Sequence, residues 1–127
     1  MNITALGHAA IRVRDLASSE KFYSGILGMP VVMRFPEEQE LGFGIGNSSV
    51  FMVHAVGSDA PAPDARTLGI HHMAFIVGNT PATLSAAANR LEEHGVRYEH
   101  IAHEEHESLF CRDPDGHLIE LYYWPSW

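Results

Sequence analysis

Two segments of this chain, one in each half, share one residue pattern. Leu6–Val13 reads LGHAAIRV and Ile70–Val77 reads IHHMAFIV, so each has a histidine near its start and then an apolar run. Both segments are typical of strands, in which alternate side chains lie on opposite faces. Such an internal duplication constrains the fold more than any single element does, because both halves are expected to build the same unit.

The periodicity of the first half predicts one helix among four strands. Residues 3–13 alternate as a strand. Apolar residues in Glu20–Gly28 have helical spacing, and Gly28 is placed to end the helix. Further strands are predicted at Val31–Phe35, Leu41–Ile45 and Val50–Val56.

The second half repeats this order. A strand at residues 70–77 precedes a helix at Ala82–His94, which begins after Thr80–Pro81 and ends at Gly95. Three strands follow, at Val96–Ile101, Ser108–Arg112 and Leu118–Trp124. We therefore predict an α+β fold, a single domain over residues 1–127 made of two βαβββ modules at about 1–56 and 69–127. The segment at about 57–68, rich in Pro, Ala and Asp, is the predicted linker.

Composition excludes several functional classes. The chain has 127 residues, 46% of them apolar, which is typical of a globular protein. Its net charge of −8 and lack of a basic cluster argue against nucleic acid as a partner. No apolar run approaches membrane-spanning length, so we expect no membrane partner. Cys111, the single cysteine, rules out an intrachain disulfide and favours the cytoplasm.

Three residues are candidate metal ligands. His8 and His72 occupy matching places in the repeat, and Glu120 lies near the end of the second copy, between two apolar residues. As isolated residues, these would be half-exposed polar groups at strand ends. As a set, two histidines and one carboxylate form the ligand triad that non-haem Fe(II) enzymes use, with open coordination positions.

Four stretches carry a resemblance to a known family: HAAIRVRDL from His8, FYSGILGMP from Phe22, HMAFIV from His72 and DPDGHLIEL from Asp113. With them the chain resembles the vicinal oxygen chelate superfamily, which includes glyoxalase I, fosfomycin resistance proteins, bleomycin-binding proteins and extradiol dioxygenases. The resemblance implies two βαβββ modules that form a curved sheet around a metal site. It also implies His8, His72 and Glu120 as ligands, and a substrate bound through two neighbouring oxygens.

A fourth ligand distinguishes branches of this superfamily. Glyoxalase-like members often have a Glu on the last strand of the first module, and that position falls near Met52 here. Met is a poor ligand for a hard divalent ion. His54 lies two residues on, on the same face, and is either a fourth ligand or a pocket residue. Three ligands leave room for a bidentate diol and O₂.

The segment from Ile101 to Glu120 is similar to the extradiol ring-cleavage motif. His103 matches the motif's active-site His, and His106 is near enough to compete for that acid–base role. The Tyr of the motif is Phe110 here, and Tyr122, on the face of Glu120, is the alternative hydroxyl. We therefore predict His103, His106 and Tyr122 as catalytic residues. The predicted substrate pocket is lined by His54, Met52, Phe110, Phe43 and Trp124.

The predicted function is an Fe(II) extradiol-type dioxygenase that acts on a small, catechol-like vicinal diol. Ni, Co, Zn or Mn are alternative metals. One alternative is a glyoxalase- or epimerase-type isomerase or lyase, and the other is a drug-binding or resistance protein without catalysis. We also predict a homodimer in which His8 of one chain meets His72 and Glu120 of the other.

Overall fold

The computed structural model describes residues 1–102 and 104–126. Within it the chain forms two compact units, Met1–Pro61 and Ala62–Trp127. No helix among the described residues has the length and apolar character needed to span a membrane.

The first unit is a four-stranded sheet with one helical segment between its first two strands. The sheet has the order β1-β4-β3-β2, with β1 and β4 parallel and the other pairs antiparallel. A short helix continues directly into a π-helical segment before Gly28, whose φ of +80° suits a glycine at a helix end. The elements are β1 (His8–Val13), α1 (Leu16–Glu20), the π-helical segment (Lys21–Ile26), β2 (Val31–Phe35), β3 (Glu40–Ile45) and β4 (Ser49–Ala55).

The second unit repeats this topology. Its sheet has the order β5-β8-β7-β6, again with the first pair parallel and the others antiparallel. The elements are β5 (Met73–Gly78), α2 (Pro81–Glu93), β6 (Tyr98–Ala102), β7 (Glu107–Arg112) and β8 (Leu118–Tyr123). The predicted α+β fold with two βαβββ units is confirmed.

Each sheet packs one face against its own helix, and this face contains the apolar core. In the first unit the rings of Tyr23, Phe43 and Phe51 contact one another, with centroids 4.8 Å apart for Tyr23 and Phe51. In the second, α2 packs on β5, β7 and β8, and its Leu91 is fully buried. The opposite face of each sheet, called here its site face, therefore carries the candidate functional residues.

The three largest differences from the predicted boundaries are at the starts of β1, β5 and the first helix. β1 begins at His8 rather than at residue 3, and β5 begins at Met73, so that His72 immediately precedes the strand. The first helix begins at Leu16, four residues before the Glu20–Gly28 segment of helical spacing, because the Asp15 carboxylate accepts a hydrogen bond from the backbone N–H of Ser18 at 2.8 Å. That contact satisfies a donor that the helix start would otherwise leave unpaired.

Candidate metal centre

His72 and Glu120 lie in contact on the site face of the second unit. Nε2 of His72 is 3.1 Å from Oε2 of Glu120. Glu120 is at the middle of β8, where it pairs with Ala74 of β5 and Phe110 of β7. His72 shares the face of Ala74, and the small Ala74 side chain leaves room for the imidazole beside the carboxylate. The fold thus brings together two of the three predicted ligands, which are 48 residues apart in the sequence.

The Glu120 carboxylate is largely removed from water. The residue is 8% exposed, so an ionised carboxylate here requires partners. Ser108, fully buried on the neighbouring strand β7, donates its hydroxyl to Oε1 of Glu120 at 2.5 Å. Both carboxylate oxygens are therefore engaged, Oε1 by Ser108 and Oε2 by His72.

The other ring nitrogen of His72 also has a partner. Nδ1 of His72 lies 2.8 Å from Nδ1 of the exposed His71. A neutral imidazole has one N–H donor and one acceptor nitrogen, so one of these two nitrogens donates and the other accepts. The tautomer of His72 is consequently coupled to that of His71.

Aromatic groups surround the carboxylate on the same face. Nε2 of His106 is 3.8 Å from Oε1 of Glu120, and the His106 ring contacts Tyr122 and Trp124 at centroid distances of 5.3 and 5.5 Å. The ring of His72 contacts Phe110 at 5.9 Å. The structure therefore gathers four predicted site residues around Glu120, namely His106, Phe110, Tyr122 and Trp124. The predicted catalytic residue His103 lies outside the described residues.

The first unit places Met52 where the second has Glu120. Met52 pairs with Ala10 of β1 and Gly42 of β3, which is the same register that Glu120 has with Ala74 and Phe110. His8, two residues before Ala10, likewise corresponds to His72 before Ala74. At the place equivalent to Glu120, the first unit therefore offers a thioether, a poor ligand for a hard divalent ion.

His54 lies on the same face as Met52, beside a carboxylate. Its Nδ1 is 3.4 Å from Oε1 of Glu40, and it pairs in register with Arg12. Both side chains are partly exposed, so water screens the contact.

Phe43 is the one predicted pocket residue that the structure places elsewhere. Strand alternation puts it on the helix-facing side of β3, where it is fully buried against Tyr23 and Phe51. It belongs to the core of the first unit and not to the site face, because Glu40, Gly42 and Gly44 are the β3 residues on that face.

The donor set of the second unit fits a divalent cation. Metal–ligand bonds to His nitrogen and carboxylate oxygen are about 2.0–2.2 Å long, so two such ligands at right angles stand about 3 Å apart. The 3.1 Å between Nε2 and Oε2 matches that spacing. Within residues 1–102 and 104–126, however, no three His, Cys, Asp or Glu side chains are grouped to hold a metal. His8, in the first unit, stays a predicted third ligand.

Cys111 is not suited to ligation. It lies on the helix-facing side of β7, where burial raises the pKa of its thiol to about 11, with a smaller contribution from the charge of Asp113. The thiolate is the ligating form of cysteine, and it is scarce at neutral pH here.

Two residues of this cluster were not predicted from the sequence, Ser108 and His71. Ser108 precedes Phe110 by two positions on the same strand, so alternation alone places it on the face of the candidate site. Strand alternation from residue 70 places His71 on the face opposite His72, so the sequence pattern does not select it. The segment before Met73 is not a strand, so the two rings can meet.

Comparison with known proteins agrees with this fold. Residues 5–121 match the family described as the Glyoxalase/Bleomycin resistance protein/Dioxygenase superfamily. The chain belongs to this superfamily, as its sequence motifs indicated.

Relatives within the superfamily differ in their activities. The chain is 30% identical over 119 residues to catechol-2,3-dioxygenase of Bacillus subtilis, covering 94% of this chain and 41% of that protein. It is 31% identical over 100 residues to the mitochondrial methylmalonyl-CoA epimerase of Mus musculus, covering 72% of this chain and 54% of that protein. The chain thus spans about half the length or less of these two relatives.

A solved structure supports the fold alone. The glyoxylase/bleomycin resistance protein/dioxygenase domain from Frankia sp. superposes with a TM-score of 0.84 at 19% identity, covering 97% of this chain and 99% of that one.

Proposed function

We propose that this protein is an Fe(II)-dependent extradiol-type dioxygenase that cleaves the ring of a small catechol-like diol. The observation that carries the proposal is the buried Glu120 carboxylate in contact with His72, with a further imidazole, His106, beside it. The likeness to a protein named catechol-2,3-dioxygenase supports the same reaction class.

In this proposal His72 and Glu120 hold the metal together with His8. Two histidines and one carboxylate are the ligand set of non-haem Fe(II) oxygenases, and they leave positions for a bidentate diol and O₂. When bound, the metal supplies Lewis acidity toward the diol and a route for electrons to O₂. Ser108 keeps the carboxylate in place, since its hydroxyl is fixed on the neighbouring strand.

His106 is the proposed acid–base residue. Its imidazole can accept the proton that a catechol hydroxyl loses on binding and return a proton to the ring-opened product near neutral pH. Contacts with Tyr122 and Trp124 orient the ring, so that Nε2 faces the Glu120 side of the cluster. His103, which the sequence motif favours for this role, is the residue to compare by substitution.

Phe110 and Tyr122 set the polarity of the substrate environment. Phe110 packs on His72 and offers an apolar edge where the ring-cleavage motif has a phenol. Tyr122 pairs in register with Ser108 and shares the site face, and we propose that it supplies the missing hydroxyl. Trp124 extends the apolar surface for an aromatic substrate.

The decisive experiment is metal analysis of protein prepared without oxygen, followed by O₂ uptake with catechols. We expect stoichiometric iron, uptake of one O₂ per catechol, and a yellow ring-opened product. Nickel, cobalt or zinc with no O₂ uptake would contradict the proposal. Metal-free protein that binds an aromatic ligand tightly would instead favour a drug-binding or resistance protein without catalysis, and the superfamily's description includes a bleomycin resistance protein.

A proton-transfer isomerase is the second candidate, and Glu40 is the observation that favours it. Isomerisation needs a carboxylate base, which Met52 cannot provide, but Glu40 lies on the same face of the first unit beside His54. The likeness to an epimerase adds to this candidate. Exchange of substrate C–H hydrogen with D₂O without O₂ consumption would identify it, and Glu40→Gln should then abolish the exchange.

We further propose that the protein is a homodimer whose metal sites are completed by His8 of one chain with His72 and Glu120 of the other. Mixing His8→Ala and Glu120→Ala subunits tests this. A shared site predicts recovery of one intact metal site per mixed dimer. Mixed dimers that bind no metal would show that each chain supplies all its own ligands.

A further inference from the structure

A continuous chain of four polar side chains runs along the site face of the second unit from an exposed end to a buried end. It consists of His71, His72, Glu120 and Ser108, linked by contacts of 2.8, 3.1 and 2.5 Å. His71, at one end, is exposed, whereas Ser108, at the other, is fully buried. Only the two inner members were predicted as ligands.

We propose that His71 and Ser108 are positioning residues that hold the outer atoms of the His72–Glu120 pair, so that Nε2 of His72 and Oε2 of Glu120 are the atoms offered to a divalent cation. The inference rests on the metal-binding function proposed above. It assigns a role to His71 and to Ser108, the two ends of this chain of hydrogen-bonding contacts.

Ser108 determines which carboxylate oxygen is free to bind a cation. A hydroxyl has one hydrogen to donate, and that of Ser108 is directed to Oε1. Because β7 and β8 are joined by regular antiparallel pairing, the distance between the two side chains is fixed by the sheet. With Oε1 held, Glu120 binds through Oε2 as a single-oxygen ligand, which leaves more positions on the cation for substrate.

His71 determines which nitrogen of His72 is free. Nε2 can bind a cation only when Nδ1 carries the ring proton, and Nδ1–H then needs an acceptor. Nδ1 of His71 is that acceptor. Without a cation, Nε2 carries the proton and donates to Glu120, and His71 becomes the donor to Nδ1. An imidazole can take either role, an asparagine amide also can, and alanine can take neither.

The test is a Co²⁺ titration of the full-length protein and its variants without oxygen, followed by visible absorption. His71→Ala and Ser108→Ala should each weaken Co²⁺ binding by roughly 10- to 100-fold, the usual effect of removing a group that orients a metal ligand. His71→Asn and Ser108→Thr, which retain the hydrogen-bonding groups, should restore most of the affinity. His94→Ala, at an exposed histidine at the end of α2, is the matched control and should bind normally.

His71→Ala keeps the test clear of folding effects, because His71 is exposed and lies outside the core. If this variant binds Co²⁺ as tightly as the unaltered protein, the role of His71 is excluded. Equal affinity in Ser108→Ala, with an unchanged absorption spectrum, excludes the role of Ser108.

A second measurement separates this inference from the proposed function. In metal-free protein the nitrogen-15 resonance of His72 Nδ1 should be that of a hydrogen-bonded acceptor, and His71→Ala should shift this resonance. If the unaltered protein takes up no cation, metal dependence fails, while the spectra still decide whether His71 holds the ring. Identical spectra in the two proteins would overturn the inference.

Discussion

The two units have the same topology but differ in what their site faces carry. At register-equivalent places the first unit has Met52 and Gly42, whereas the second has Glu120 and Phe110. At these places the backbone pairing is the same, so the difference there lies in the side chains. Duplication thus produced two similar scaffolds, and only the second carries a buried carboxylate on its site face.

The polar groups of the two faces also differ in their environments. In the first unit Glu40 and His54 are partly exposed and 3.4 Å apart. In the second, Glu120 is 8% exposed and directly hydrogen bonded to fully buried Ser108. Electrostatic contacts are stronger away from water. The site face of the second unit is therefore better suited to holding a cation.

The largest expected effect comes from replacing Glu120, compared with the same replacement at its register-equivalent residue Met52. Glu120→Gln removes the charge that compensates a cation, and we expect metal affinity and activity to fall by on the order of 100-fold or more. Met52→Gln, its register-equivalent control, should change metal affinity little. Comparable losses in both variants would show that the two faces contribute equally to the site.

A second large effect should appear in the cores. Phe43 in the first unit and Cys111 in the second occupy equivalent places on the helix-facing sides of β3 and β7. Phe43→Ala leaves a cavity among Tyr23 and Phe51 and should cost about 3–5 kcal/mol of unfolding free energy. Cys111→Ala removes one atom and should cost about 1 kcal/mol. Urea denaturation measures both, and a small cost for Phe43→Ala would argue against its place in the core.

Alkaline pH should destabilise the second unit through Cys111. In the unfolded chain the thiol ionises near its ordinary pKa of about 8.5, whereas burial holds the folded pKa at about 11. Between these values the unfolded state loses a proton that the folded state keeps. The contribution of the protonated thiol to stability is therefore fully present below about pH 8.5. Above it, the free energy of unfolding declines by up to about 1.4 kcal/mol per pH unit. In Cys111→Ala the urea midpoint should fall less steeply with rising pH than in the unaltered protein. An equal slope in the two proteins would contradict this.

The smallest expected effect concerns the helix starts. The Asp15 carboxylate accepts hydrogen bonds from the N–H and hydroxyl of Ser18, whereas the Thr80 side chain caps no backbone group of α2. Asp15→Ala should therefore lower the thermal midpoint more than Thr80→Ala does. These hydrogen bonds lower the pKa of Asp15, so the cap contributes stability above the ordinary aspartate pKa and is lost as pH falls through the lowered value. Asp15→Ala and Thr80→Ala should therefore have equal thermal midpoints at acidic pH and unequal thermal midpoints at neutral pH.

Much of this architecture was predictable because it depends on local pattern. Alternating strands and the helix-ending Gly28 and Gly95 depend on near neighbours, and the elements lie within a few residues of their predicted bounds. The equivalence of His8 with His72 follows from the repeat. Strand parity also correctly put Glu120 and Tyr122 on one face.

Phe43 shows where local pattern is insufficient. In Leu41–Ile45, alternate apolar residues predict one buried face, but an apolar pocket and a helix-packed core produce the same pattern. Only the packing of Tyr23 onto Phe43 and Phe51 distinguishes them. That packing joins residues twenty or more positions apart.

The sequence by itself determined the duplicated βαβββ order, the family and the residue types available for chemistry. Tertiary structure alone decided that Nε2 of His72 meets Oε2 of Glu120, that Ser108 holds the other oxygen and that His71 holds the other nitrogen. The physical reason is that repeat and strand patterns are set by neighbours along the chain. Hydrogen bonds between strands depend on register and burial, which are established only when the sheet forms.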